Sequence, residues 1–199
     1  MSKKLPPAWQ HVETCVIFKH PRITVSEDTV ILPSGRRTDW MQFREGPDFV
    51  KVICVDDRRR VLVASQYAHP PRRVVHEFPG GVVNTGERHE EAARRELVEE
   101  VGLYPRRLER IGSFLTNNRR SDRACVLFWA TDFEARPATP DSEEFIEYEW
   151  LEIAALEQSI RAGEVENGIL LACWTLFRLR YDEYFRDLRN IDHPSVRDT

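Results

Sequence analysis

Residues 90–101 combine an apolar stripe with a dense set of carboxylates. Ala93, Leu97 and Val101 recur every four positions, which is the spacing of one face of an α-helix. Gly102 follows directly, and glycine readily adopts the left-handed conformation that ends many helices. The segment therefore predicts an amphipathic helix that ends at Gly102.

The carboxylates of this segment are spaced to share a second helix face. Glu96, Glu99 and Glu100 stand at positions i, i+3 and i+4. Like charges at this spacing destabilise an isolated helix by about 0.2–0.5 kcal/mol per pair, so the cluster needs a compensating cation. Hard oxygen ligands favour Mg²⁺ or Mn²⁺, and Mg²⁺ is usually held by few carboxylates together with substrate phosphates. One interpretation is therefore a metal site at which a pyrophosphate group binds. The other is a solvated acidic helix surface.

The rest of the chain alternates β-branched runs with turn residues, which predicts a mixed α/β fold. An N-terminal hairpin is predicted from strands at 22–32 and 37–44, and a second antiparallel pair from strands at 49–55 and 60–67. Further strands are predicted at 74–78, 108–115, 124–133 and 145–151, and two closing helices at 153–162 and 168–188.

Composition sets limits on the class of protein. The 199 residues are 41% hydrophobic and 31% charged, which is ordinary for a globular protein. No apolar run approaches the ~20 residues that a membrane span needs, and the first ten residues lack a secretory apolar core, so we expect a cytoplasmic protein. The net charge of -4 disfavours a general nucleic-acid partner. The sequence predicts buried free thiols for its four well-separated cysteines: Cys15, Cys54, Cys125 and Cys173.

The helical segment lies within a longer pattern that resembles the Nudix box at every fixed position. The pattern runs from Gly81 through five residues to Glu87, then through seven more to the continuous stretch 95–103. Seven specified residues would match by chance about once in 10⁸ registers, so coincidence is a poor explanation. The resemblance implies an α/β (α+β) fold, a Nudix-type α/β/α sandwich with a mixed β-sheet, preceded by the N-terminal β-hairpin. It also implies hydrolysis of a phosphoanhydride bond with Mg²⁺, or possible Mn²⁺, as cofactor.

The same resemblance implies roles for individual residues. The residue at the Gly80 position offers its carbonyl oxygen to the metal, and Arg95 orients the glutamates, although a salt-bridged helix surface would also explain Arg95. Glu87 is either a helix-start acid or a remote acidic partner in the site. An acid on the loop before the last strand binds metal or acts as base, and Glu144 is preferred there over Glu143. The predicted metal ligands are Gly80, Glu96, Glu99, Glu100 and Glu144, and the predicted catalytic residues are Arg95, Glu99, Glu100 and Glu144.

Weaker features resemble the branch of ADP-ribose pyrophosphatases and nucleoside-diphosphate-sugar hydrolases. They are the N-terminal hairpin, the segment 65–67 ahead of 76–80, and the segment 143–151 before a short helix. This branch implies ADP-ribose or another nucleoside diphosphate sugar as substrate, with a nucleoside monophosphate and a sugar phosphate as products. Many ADP-ribose hydrolases have an arginine where this chain has Ala68, so a phosphate or ribose contact is missing there.

Candidate substrate contacts lie outside the box. The arginine pairs Arg72–Arg73 and Arg119–Arg120 could bind phosphate or sugar, and Arg72–Arg73 could replace the contact missing at Ala68. Loop arginines, however, are commonly solvent-exposed. Two aromatic residues could stack on a base, although aromatic residues in strands more often belong to the core. The full set of candidates is Trp40, Arg44, Tyr67, Arg72, Arg73, Arg119 and Arg120.

The resemblance also implies how the chain is organised. We expect an N-terminal extension at 1–46 that joins two copies into a homodimer, a Nudix hydrolase domain at 47–190 and a polar tail at 191–199. Alternative functions are hydrolysis of dinucleoside polyphosphates, coenzymes or RNA 5′ ends, and a non-catalytic module that senses a nucleotide.

Overall fold

The structure is a computed structural model that describes residues 5–139 and 145–182. Glu143, Glu144 and the predicted tail at 191–199 lie outside the described residues. No helix in the described part combines the length and apolarity that crossing a membrane requires. The elements in chain order are β1 (Gln10–His20), β2 (Ile23–Ile31), β3 (Arg37–Arg44), β4 (Phe49–Cys54), β5 (Arg60–Ala68), β6 (Arg73–Glu77), α1 (His89–Val101), β7 (Leu103–Leu115), β8 (Ala124–Ala135), β9 (Ile146–Glu152), α2 (Ile153–Ala162) and α3 (Gly168–Arg180).

The N-terminal part forms one compact unit, which runs through Asp48 and also includes Leu115–Ala124. Its sheet has the order β1-β2-β3, with both pairs antiparallel. The predicted hairpin is confirmed as β2 and β3, but β1 was not predicted. Two register shifts interrupt the pairing of β1, and all of its residues are exposed, so its sequence lacks the alternation of a half-buried strand.

The second unit contains two three-stranded sheets, ordered β4-β8-β7 and β6-β5-β9. The predicted antiparallel pairing of β4 with β5 is wrong, because β4 pairs in parallel with β8 whereas β5 pairs with β6 and β9. Within the described chain, the link found between the two runs is an isolated bridge between Val55 and Val61. The turn between them is closed by Asp56, whose carboxylate accepts hydrogen bonds from the backbone and the guanidinium of Arg60.

Helices cover both faces of the β4-β8-β7 sheet. Successive side chains of a strand point to opposite faces. On one face, Val50 and Val52 belong to a buried cluster with the α1 residues Ala92, Ala93 and Leu97. On the other face, a second cluster joins β4 to α2 and α3, with Ile53, Val55, Leu156, Leu170 and Phe177 among its members. The predicted fold class, a mixed fold with helices on both sides of a sheet, is confirmed.

Two smaller predictions need correction. In the predicted helix 168–188, the spacing of Leu171, Trp174, Leu176, Leu179 and Tyr181 predicts one apolar stripe. Leu179 is nevertheless 75% exposed, and the buried residues of α3 are Leu170, Cys173, Trp174 and Phe177. Of the four cysteines predicted to be buried, Cys15 is exposed on β1 and the other three are buried.

Candidate active site

Helix α1 is built as the sequence predicts. It begins at His89, after Arg88 and Glu91 exchange hydrogen bonds across the first turn. It ends at Gly102, which has a φ of 66° and donates its amide hydrogen to the last turn. Leu97 is completely buried, so one face of the helix is fixed against the sheet while the glutamates project from another. Side chains on a packed helix are held more rigidly than side chains on a loop.

Gly80 and Gly81 let the loop before α1 run close to β4 on one side and to α1 on the other. Gly80 has a φ of 126°, and a Cβ there would collide with the backbone oxygen of Val50. A Cβ on Gly81 would lie 2.6 Å from the carboxylate of Glu96. The amide of Gly80 donates a hydrogen bond of 3.1 Å to Glu100. The glycines therefore bring the backbone of this loop directly against the carboxylates of α1.

Arg95 contacts three carboxylates and one carbonyl oxygen. Its guanidinium donates to both oxygens of Glu87, at 2.8 and 3.0 Å, and to the carbonyl oxygen of Val82 at 2.9 Å. Nη1 also donates to Glu96 at 2.8 Å and to Glu99 at 3.0 Å. The hydrogen bonds from Arg95 hold the pKa of Glu87 below its ordinary value, and those to Glu87 raise the pKa of Arg95 itself. An ordinary salt-bridged helix surface pairs charges within the helix, whereas Arg95 also binds Glu87 and Val82 in the loop before it.

Gly80, Glu96 and Glu100 line one cavity of about 330 Å³ in the second unit. Burial raises the pKa of Glu100, while the charge of Lys51 and hydrogen bonds from Tyr148 and the Gly80 amide oppose that rise. Glu99 instead turns toward Arg95, and its side chain is 43% exposed. Glu144, the predicted loop acid, lies outside the described residues.

Three residues of this cavity were missed by the sequence reasoning: Lys51, Glu77 and Tyr148. The ammonium group of Lys51 donates to Glu77 at 2.7 Å and to the carbonyl oxygen of Gly80 at 3.0 Å. One signal was available, because Lys51 is the single charged residue of β4 and every residue of that strand is buried. A buried charge requires a partner, so a lysine inside an apolar strand indicates an acidic site nearby.

The donor atoms suit a hard divalent cation. Gly80, Glu96 and Glu100 offer one carbonyl oxygen and two carboxylates, and Mg²⁺ is commonly held by one or two carboxylates while it keeps several waters. Among the described residues, no three acidic, histidine or cysteine side chains converge as a complete ligand set. Protein cations bind two of the donors instead, Arg95 at Glu96 and Lys51 at the Gly80 oxygen. By ligand type, these three residues could hold the ion.

Three substrate candidates belong to the same unit as α1. Tyr67, for which a place in the core was the alternative, lies toward the end of β5 and is 54% exposed. Arg72 is exposed in the loop after β5, with a φ of 55°. Arg73 forms an ion pair of 2.6 Å with Glu166. Tyr67 and Arg72 are therefore accessible, whereas Arg73 already has an acidic partner.

The other four candidates belong to the N-terminal unit. Trp40 is half-buried, and its indole nitrogen donates to the carbonyl oxygen of Arg119 at 3.2 Å. The guanidinium of Arg120 lies over the Trp40 ring and donates to the carbonyl oxygen of Met41 at 2.8 Å. Arg44 is exposed at the end of β3. The structure thus brings Trp40, Arg119 and Arg120 together.

A family model described as the NUDIX domain matches residues 47–171, which is more than half of the chain. The chain therefore belongs to the Nudix family, and it is a pyrophosphohydrolase. Its sequence is 29% identical over 167 residues to the ADP-ribose pyrophosphatase of Bacillus subtilis (strain 168), covering 83% of this chain and 87% of that protein. It is 28% identical to the methanol dehydrogenase activator of Bacillus methanolicus, covering 68% of this chain and 74% of that protein.

A solved structure of an ADP compounds hydrolase has the same fold. It superimposes with a TM-score of 0.81 and covers 92% of this chain and 98% of its own, at 18% sequence identity. This match supports the fold, and the similarity to the Bacillus subtilis relative supports the predicted ADP-ribose pyrophosphatase branch.

Proposed function

We propose that this protein hydrolyses the pyrophosphate bond of ADP-ribose or another nucleoside diphosphate sugar in a Mg²⁺-dependent reaction. The products would be a nucleoside monophosphate and a sugar phosphate. One observation carries the proposal: Glu96, Glu100 and the Gly80 loop line a single cavity, with Arg95 bound to Glu96 at its side. Similarity to an ADP-ribose pyrophosphatase supports the choice of substrate class.

The proposed roles follow from these positions. Glu96, Glu100 and the Gly80 carbonyl oxygen would hold the ion, which supplies charge neutralisation for the phosphates and makes water more acidic. Arg95 acts as a positioning residue, because it is bound to Glu96 and Glu99 at once. Glu99 is exposed enough to accept a proton from the attacking water, and Glu144 is the alternative base.

Some of the proposed substrate contacts are accessible as they stand, whereas others would first have to break a contact within the protein. Tyr67 exposes its ring and could stack on a base, and Arg72 could reach a phosphate. Arg73 would first have to leave Glu166. In the N-terminal unit, the ring of Trp40 already has Arg120 over it and Trp9 against its edge, so stacking would require Arg120 to move. Arg44 and Arg119 stay candidates for phosphate or sugar contact.

We also propose that the protein is a homodimer joined through its N-terminal strands. β1 is an edge strand in which Val12, Val16, Ile17 and Phe18 are all about half exposed, between 43% and 55%. A long apolar edge strand invites pairing with another chain, and a second copy would cover it. A cytoplasmic location also stays a prediction.

The test of function is release of nucleoside monophosphate from a substrate panel with Mg²⁺ and with a chelator. The panel contains ADP-ribose, ADP-glucose, GDP-mannose, UDP-glucose, NADH, diadenosine polyphosphates, nucleoside triphosphates and a triphosphorylated RNA. We expect one diphosphate sugar to be preferred and the chelator to abolish its cleavage. Glu100→Gln should lower kcat by at least roughly 100-fold, because a ligand of the ion is lost, with little change in the melting temperature.

The matched control is Glu90→Gln, an exposed glutamate in the first turn of the same helix, which should keep wild-type turnover. Preferential cleavage of diadenosine polyphosphates, NADH or RNA would replace the sugar-nucleotide assignment with the corresponding alternative. Wild-type turnover by Glu100→Gln would refute the proposed site.

A further inference from the structure

Lys51 differs from the other positive charges of this chain. It is the only lysine after residue 19, and every other basic side chain from there on is an arginine, apart from histidines. Its residue is 8% exposed, in a strand whose other five residues are uncharged. A lysine ammonium is a compact point charge, whereas an arginine is a wide planar fork, so a lysine fits where a single small cation is needed.

The position of this ammonium is fixed by two oxygen atoms. Nζ lies 2.7 Å from a carboxylate oxygen of Glu77 and 3.0 Å from the carbonyl oxygen of Gly80. The side chain of Lys51 is 10% exposed, and that of Glu77 is 21% exposed. Both backbone polar groups of Gly80 are therefore hydrogen-bonded: its carbonyl oxygen accepts from Lys51, and its amide donates to Glu100.

The Gly80 carbonyl oxygen is also a donor atom of the proposed ion site. A divalent ion and an ammonium group approach a carbonyl oxygen from the same side, the side of its lone pairs, and they repel each other at short range. The charged side chains that line the cavity are the carboxylates of Glu77, Glu96 and Glu100 and the cations of Lys51 and Arg95. Lys51 thus neutralises part of the negative charge that would attract an ion.

We propose that the Lys51 ammonium is a built-in cation that competes with a divalent ion for the Gly80 carbonyl oxygen, and so weakens ion binding by the nucleotide-free protein. With an ion at this oxygen, the Lys51 ammonium would keep its hydrogen bond to Glu77 alone. The inference rests on the proposed ion site, and it is independent of which nucleotide is cleaved.

The test is binding of Mn²⁺ alone to nucleotide-free protein, measured from the electron paramagnetic resonance signal of free Mn²⁺. Lys51→Met removes both the charge and the hydrogen bonds, and Lys51→Gln removes the charge while it keeps a donor. We expect both variants to bind Mn²⁺ roughly tenfold or more tightly than wild type, because a unit positive charge beside the ion is lost. Lys51→Arg keeps a positive charge and should not bind more tightly than wild type.

Lys19→Met, an exposed lysine on β1, is the matched control and should bind Mn²⁺ like wild type. Thermal unfolding establishes which variants are folded, and Lys51→Gln serves if Lys51→Met does not fold. Wild-type or weaker Mn²⁺ affinity in a folded uncharged variant would overturn the inference, while loss of binding in Glu100→Gln would still support the ion site. Absence of Mn²⁺ binding in every protein would overturn the site and the inference together.

Discussion

Arg95 of α1 contacts three carboxylates and one carbonyl oxygen of the candidate site. Its three nitrogen donors bind Glu87, Glu96, Glu99 and the carbonyl oxygen of Val82 at 2.8 to 3.0 Å. A guanidinium can form such a set because its donors lie in a fixed plane, and a lysine ammonium cannot span it. Arg95 therefore contributes to the orientation of both Glu96 and Glu99.

Arg95→Lys is expected to lower kcat roughly 10- to 100-fold with a smaller change in KM, the range seen when a residue that orients metal ligands is lost. Steady-state kinetics on the preferred substrate of the panel give the two parameters separately. Arg88→Lys is the control, since Arg88 is an exposed arginine directly before the same helix and pairs with Glu91 alone among the described ion pairs. Equal kinetics for the two variants would contradict a positioning role for Arg95.

Glu87 makes the pH dependence of stability predictable in sign. Hydrogen bonds from Arg95 lower its folded-state pKa below the ordinary value of 4.5. Its contribution to stability is therefore fully present above that value and is lost as the pH falls through the folded-state pKa. Glu87→Gln should lose about 1–2 kcal/mol of unfolding free energy at neutral pH, and this difference should shrink as the pH falls below 4.5. Urea unfolding in the presence of a chelator measures it, and a difference that grows on acidification would refute the assignment.

At the scale of elements, the site depends on how closely the Gly80–Gly81 loop approaches α1. A Cβ on Gly81 would lie 2.6 Å from the Glu96 carboxylate, which is the end of a flexible side chain and can move. Gly81→Ala should thus misplace Glu96 and lower kcat roughly 10- to 100-fold, with only a small loss of stability.

Gly112→Ala is the matched control for this change. Gly112 lies in β7, and a Cβ there would meet nothing within 4 Å. It should therefore keep both turnover and melting temperature. A Gly81→Ala protein with wild-type kcat would show that Glu96 need not occupy the position seen in the structure.

At the scale of the whole molecule, the exposed strand β1 predicts an association of two chains. Within the described chain, its large apolar residues are left about half exposed. We expect a dimer in analytical ultracentrifugation and a shift to monomer when Val16→Lys and Phe18→Lys are combined, because lysines on an edge strand oppose pairing. Val74→Lys, at a residue 60% exposed on β6, is the control that should stay dimeric. A monomeric wild-type protein would refute the proposal.

The sequence alone determined helix α1 and the family. The start and end of α1 depend on local spacing and on Gly102, and the proposed ligand glutamates follow from positions three and four residues apart on the helix. Such signals lie within one turn or one motif, so they can be read without knowing what packs against them.

Only the tertiary structure decided how the strands pair and what surrounds the acids. β4 and β5 are adjacent in sequence but join different sheets, because each pairs with a strand distant along the chain. Likewise, Lys51 meets Gly80 across 29 positions. Such contacts depend on which surfaces bury one another, and no local pattern encodes that choice. The proposed chemistry of the site could therefore be predicted from the sequence. The sequence also marked Lys51 as a charge within an apolar strand, but only the fold decided which oxygen atoms it binds.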